Sequence, residues 1–152
     1  MTEDPLARTE LTFLLGMAFQ LVLGEFLARL DAADLRPVHG LAFQALRHGG
    51  LTATELADVL GVTKQAAGQL VDELDSKGYV RRVPHPAGGR RKLVVLTGRA
   101  EDHLMVAGHT MRTLEAELAA RVGDDLGGLR HDLTRVIRAL AGDAPPPLRP
   151  IW

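Results

Sequence analysis

The chain has 152 residues, 18 of them Lys or Arg and 19 Asp or Glu, for a formal net charge of -1; 46% are hydrophobic. That composition is ordinary for a globular chain, and the length suffices to bury roughly 70% of its unfolded surface in one or two modules. There is no cysteine, which excludes disulfides, thiolate metal sites and thiol redox switches, and the opening Met1-Thr2-Glu3-Asp4 is acidic where a secretory leader would be basic.

Residues 8–31 read as one helix. Phe13, Leu14, Leu15, Met17, Phe19, Leu21, Val22, Leu23, Phe26 and Leu27 make it apolar almost all round, long enough to suggest a membrane span. Thr12, Gln20, Glu25 and Arg29 interrupt the run, and charges near mid-span are costly in lipid. Burial inside protein, in a subunit interface, is the expectation.

Pro37 suits a first helical position, with Asp34 as the cap of a helix running to about Arg47 and Val38, Leu41, Ala42 and Ala45 inward. Thr52-Ala53-Thr54-Glu55 is a capping box opening a short helix with Leu56, Val59 and Leu60 inward. Gly61 ends that helix, and Thr63 caps another with Ala67, Leu70, Val71 and Leu74 inward, stopped by Gly78. Strands are expected at 79–83 and 92–96, joined by Pro84-His85-Pro86-Ala87-Gly88-Gly89, which is turn material. Two helices follow. One spans 99–121, with Leu104, Ala107, Met111, Leu114 and Leu118 as a stripe; the other spans 125–140, with Leu126, Leu129, Leu133, Val136 and Leu140. Such stripes mark helix-on-helix packing, and three long apolar helices exceed what a monomer of this size needs, which predicts a homodimer.

The fold class expected is mainly α with a small β-hairpin wing: a winged helix-turn-helix lobe plus a helical dimerisation region. The domains are 1–33 (N-terminal dimerisation helix), 34–97 (winged helix-turn-helix), 98–141 (C-terminal dimerisation helices) and 142–152, a loose Pro-rich tail. Trp152, the only tryptophan, either docks on a partner or is disordered.

Charge points to the partner. Seven Lys or Arg and no Asp or Glu lie between Lys77 and Arg99, and phosphate contacts supply most nucleic-acid affinity. In a helix-turn-helix the first turns of the second helix face base edges. Gln65 and Gln69, four apart, share a face opposite the apolar one and suit adenine, while Thr63 and Lys64 suit phosphate. Arg90 and Arg91 at the ribbon tip suit a narrow minor groove, Arg90 first, and Arg81 and Arg82 at its base suit the sugar-phosphate backbone. Strand alternation puts Arg90 and Lys92 on one side and Arg91 on the other.

The ordered set Leu51-Thr52-x-x-Glu55-Leu56-Ala57, Val62-Thr63-Lys64-Gln65-Ala66, Leu70-Val71-x-x-Leu74, Gly78-Tyr79-Val80-x-Arg82 and Leu93-Val94-x-Leu96-Thr97 resembles the MarR family of bacterial transcription regulators, over about residues 10–140. The resemblance implies a cytoplasmic homodimeric repressor on a pseudo-palindromic double-stranded DNA operator, released by a small aromatic or anionic ligand. It further implies a ligand crevice between the dimer helices and the DNA lobe, mapping onto Met17, Gln20, Arg36, His39, Phe43 and His103. Three departures stand out. Gly88 replaces an acidic residue two places before the wing-tip arginine, Gly68-Gln69 replaces a Ser-Arg pair, and Leu35-Arg36-Pro37-Val38-His39 replaces Leu-Thr-x-x-Gln.

Other chemistries find little footing. His103 and His109 are six apart, on opposite sides of a helix, so a zinc site would need His39, Glu101 and Asp102 brought in by the fold; no metal, cofactor or membrane partner is expected. Ser76 is the only serine and no phosphate loop or Gly-x-Ser-x-Gly exists, which argues against an enzyme. The rival reading is a dimeric protein-interaction module whose winged helix is weakened for DNA by Gly68, Gln69 and Gly88.

Overall fold

The computed structural model describes residues 2–150; Trp152 lies outside them. A 3-10 turn, Pro5–Arg8, precedes α1 (Leu11–Arg29). The helix expected from residue 8 is delayed because Asp4 Oδ1 accepts the Leu6 amide (3.0 Å) and Thr9 is extended. The order continues with α2 (Pro37–Leu46), α3 (Ala53–Leu60), α4 (Lys64–Ser76), β1 (Val80–Pro84), β2 (Lys92–Leu96), α5 (Gly98–Val122) and α6 (Gly127–Ala141).

Local chemistry explains most boundaries. The Thr52–Glu55 capping box forms in full: the Glu55 amide donates to Thr52 Oγ1 (3.1 Å) and the Thr52 amide to Glu55 Oε1 (3.0 Å). Gly61 closes α3 in the left-handed region, φ +69°, which only glycine enters without strain. Thr63 Oγ1 accepts the Ala66 amide (3.0 Å) and starts α4. α6 begins at Gly127, two residues later than expected, because Asp124 and Asp125 turn the chain by accepting the Leu126 and Gly127 amides (2.6 and 2.8 Å).

Asp34 is not the cap of α2. Arg36 holds that place, and its amide donates to Nδ1 of His39 (2.8 Å). Asp34 instead accepts from the Tyr79 hydroxyl (3.2 Å) and the Arg99 guanidinium (3.4 Å), tying the start of α2 to the ribbon base and α5.

The core sits in the middle lobe. Phe43, Leu56, Leu60, Val71, Leu74, Val80 and Val94 are each at most 2% exposed. Every inward residue expected for α4 is buried, whereas α2 also buries Phe43, Leu46 and His39. The two strands pair antiparallel, Val80 opposite Leu96 through Pro84 opposite Lys92, one residue later in β1 than expected. Pro84 is tolerated because it ends a strand. Leu51 adds an isolated bridge to Val94, with amide bonds in both directions (3.2 and 2.7 Å), so the ribbon is anchored at the start of α3.

α1 is the helix expected in a subunit interface. Within one chain it is not enclosed: Phe13 is 64% exposed and Leu21 71%, and α5 is its principal contact. The Arg29–Glu117 ion pair (2.6 Å) joins the two. By length and hydropathy α1 alone among the described helices could cross a membrane. α6 also shows apolar residues outward, Leu129, Ile137 and Leu140.

Candidate nucleic-acid interface and cavity

α4 presents two faces. Ala67, Leu70, Val71 and Leu74 lock it onto the core, so Lys64, Gln65 and Gln69 stand in solvent, with Thr63 exposed at the cap. Among the described residues none of Lys64, Gln65 and Gln69 makes a side-chain hydrogen bond or ion pair. Gly68 lies between them. A Cβ there would meet nothing within 4 Å and its φ is ordinary, so nothing inside the chain requires glycine. Lys64 opposes the helix dipole at the first helical position, an arrangement that a bound phosphate would relieve.

The ribbon sorts its arginines. Arg82 lies back on α4, paired with Asp72 and with Asp75 (3.1 Å), so it neutralises two acids of α4 and holds the ribbon against it. Arg81, on the other side of β1, is exposed and makes no ion pair among the described residues; the same is true of Arg90. Arg90 lies in the tip turn beyond the strand, so the alternation expected for Arg90, Arg91 and Lys92 does not govern it. Arg91 is near enough to Glu55 to help lower its carboxyl, which the Thr52 amide bond chiefly holds down. The tip is closed by His85, whose carbonyl accepts the Gly88 amide (2.9 Å). Gly88 and Gly89 have φ of +81° and +78°. The absent acidic residue therefore has a backbone reason: an L side chain at position 88 would be strained by about 1–2 kcal/mol.

Behind this lobe a cavity of about 1030 Å³ lies between α1, α2 and α5. Phe19, Val22, Leu23 and Phe26 supply an apolar wall; Arg36, Arg47 and Arg112 are its charged residues, and no Asp or Glu lines it. Of the six residues mapped to a ligand crevice, Arg36, Phe43 and His103 line it. Met17 and Gln20 are exposed on α1 and do not. His39 is fully buried elsewhere, its Nε2 3.3 Å from Glu73 Oε2 without good hydrogen-bond geometry. Arg36 also pairs with Glu73 (2.6 Å), as does Lys77 (3.3 Å). Arg36 foremost holds the Glu73 carboxyl down at about 2. Burial pushes the His103 imidazole below its ordinary value, and its ring meets Phe43 edge-on at 5.6 Å.

Sequence reading missed Arg47 and Arg112. Arg36, Gly40, Gln44 and Arg47 recur at helical spacing on α2, as do Leu104, Gly108 and Arg112 on α5, but nothing in either pattern says the two faces meet. His109 lines the cavity but is exposed; no group of three or more His, Asp or Glu suited to a metal occurs among the described residues. Ser76 Oγ donates to the Glu73 carbonyl (2.8 Å), a helix-end contact.

Two packed helices at a tight turn, the second solvent-facing and followed by a basic hairpin, define a winged helix-turn-helix. Residues 33–91, from the turn before α2 to the wing tip, match the MarR family model. Solved structures agree. The Multiple Antibiotic Resistance Repressor, MarR, is 26% identical, TM-score 0.72, covering 85% of this chain and 96% of that one. Wild-type apo MarR from E. coli is 27% identical, TM-score 0.67, over 85% and 98%. RV1404 from Mycobacterium tuberculosis is 28% identical, TM-score 0.68, over 95% and 98%. A comparison with curated proteins found no significant match. Proteins of this family are DNA-binding transcription regulators.

Proposed function

We propose that the protein is a non-enzymatic, cytoplasmic, homodimeric repressor that binds a pseudo-palindromic operator and is released by a small aromatic anion. The observation that carries this is the pairing of an unencumbered recognition face (Lys64, Gln65, Gln69) with the exposed wing arginines on one rigid lobe. Thr63, Lys64, Arg81 and Arg91 would position the backbone, Gln65 and Gln69 would read base edges, and Arg90 would enter the minor groove. Arg82 would act mainly by holding the wing. Dimerisation through 1–33 and 98–141 would cover the outward apolar residues of α1 and α6 and set the half-site spacing. The cavity, apolar with an arginine rim and free of carboxylates, suits an anionic ring.

Mobility shift on duplex DNA from the protein's own upstream region, across a salt series with competitor, tests the reading. Competitor-resistant binding with a steep salt slope is expected. Arg90→Ala should weaken binding and reduce that slope by about one, whereas Gln65→Ala should relax base preference at a cost of about 1–3 kcal/mol. The interaction-module reading draws on Arg82, which is occupied by Asp72 and Asp75 instead of facing outward. Binding that competitor abolishes, and that neither substitution changes, would favour it.

A further inference from the structure

The C-terminal segment touches two features that lie apart in the fold. After α6 the chain runs extended, and Pro145, Pro146 and Pro147 stiffen it. Leu148 forms part of the cavity wall. Its neighbour Arg149 reaches α3, where Nη2 donates to the Asp58 carbonyl (3.1 Å) and Nε to the Val59 carbonyl (3.2 Å). Both belong to the last turn of α3, where the Asp58 carbonyl also accepts the Gly61 amide (3.3 Å). The same side chain covers Gly61, where an added Cβ would stand 2.9 Å from Arg149 Cδ. Gly61 is the left-handed residue of the turn between α3 and α4. One short, stiff segment thus contacts the cavity through one residue and the helix-turn-helix turn through the next. Over the described residues 142–150 the tail has no helix or strand, and Arg149 is held on α3 by these two bonds.

We infer that residues 145–149 form a strap coupling occupancy of the cavity to the turn that aims the recognition helix. A ligand filling the cavity displaces Leu148 and withdraws Arg149 from α3. Adjacent residues of a stiff segment cannot move independently, so both contacts share one docked-to-undocked equilibrium. By linkage, a ligand favouring the undocked strap binds more tightly wherever docking is weakened. The strap itself needs no DNA; its consequence, a loosened recognition helix and weaker operator binding, rests on the function proposed above.

The probe is 1-anilinonaphthalene-8-sulfonate, an aromatic anion suited to the apolar wall and arginine rim. Cavity binding is the part of its fluorescence titration lost in Gly40→Leu, since Gly40 lines the cavity with open space at its Cβ. Full-length Arg149→Ala should bind the probe about fivefold more tightly than the parent chain. That direction is diagnostic, because Arg149 lines no part of the cavity and removing a cation by itself disfavours an anionic probe. Leu148→Ala should shift the same way, and the double variant should gain less than the product of the two. Equal or weaker binding by Arg149→Ala, or no Gly40→Leu-sensitive binding at all, overturns the strap. Mobility shifts on the same proteins are read separately: tighter probe binding beside a parent chain that shifts no DNA refutes the DNA reading and supports the strap.

Discussion

His39 is ionisable and completely buried, and its environment decides which form the fold accepts. Nδ1 accepts a hydrogen bond from the Arg36 amide, so the neutral ring carries its hydrogen on Nε2, toward Glu73. Burial pushes its pKa below the ordinary 6.5 despite the opposing Glu73 carboxylate. The unfolded chain then takes up a proton that the fold refuses, so this contribution is complete above pH 6.5 and is lost as pH falls below it. Glu73 acts in the same direction lower down: its carboxyl, held near 2 against an ordinary 4.5, stabilises fully above 4.5 and progressively less toward 2. His39→Asn keeps an acceptor for the Arg36 amide and removes the titration. Urea midpoints at pH 7.5 and pH 5 should differ less in this variant than in the parent, with the remaining difference from His103, which burial also lowers. An unchanged difference would mean that His39 does not titrate with unfolding. Gly68 offers the opposite kind of test. With open space at its Cβ and ordinary backbone, Gly68→Ala should stabilise by about 0.5–1 kcal/mol in denaturant unfolding; destabilisation would reveal a constraint that its surroundings do not show.

At the scale of elements, α4 is a helix made by its neighbours as much as by its own residues. Its buried stripe is complete, but Gly68 and the short run of strong formers make it marginal alone. The Thr63 cap is therefore a large part of its local stability. Thr63→Ala should cost about 1 kcal/mol, seen as a lower thermal midpoint, and hydrogen exchange should rise first at the Ala66 and Ala67 amides. A midpoint unchanged from the parent would assign the start of α4 to packing alone. The caps at Thr52 and Thr63, the stop at Gly61, Leu56 and Leu60 of α3 and the inward residues of α4 were legible in the chain, because each depends on residues within four positions; on α3 Ala57 is buried where Val59 was expected, and Val59 is half-buried. The cap of α2 was not. Asp34 has the right chemistry, but Tyr79 and Arg99, 45 and 65 residues away, compete for its carboxylate.

For the whole molecule, the unresolved account is of apolar surface. α1 and α6 leave Phe13, Leu21, Ile137 and Leu140 outward, large apolar side chains that a partner surface would take out of water. The dimer proposed above would remove it. Ile137→Asp, at a position half-exposed within one chain, should leave the lobe folded by circular dichroism and shift sedimentation equilibrium toward monomer, because a buried unpaired carboxylate costs several kcal/mol. A parent chain already monomeric at micromolar concentration would remove the dimer and its half-site geometry together.

The sequence by itself determined the elements, the helix-turn-helix order, the basic hairpin and the family resemblance, since caps, glycine stops and apolar periodicity act over a few residues. Tertiary structure alone decided which cations are free. Arg82 and Arg90 look alike in the chain, yet one is held by Asp72 and Asp75 while the other stands in solvent. It alone placed Arg47 and Arg112 around one cavity, buried His39 against Glu73 and docked Arg149 on α3. Such pairings join residues far apart in the chain, and no local periodicity encodes them.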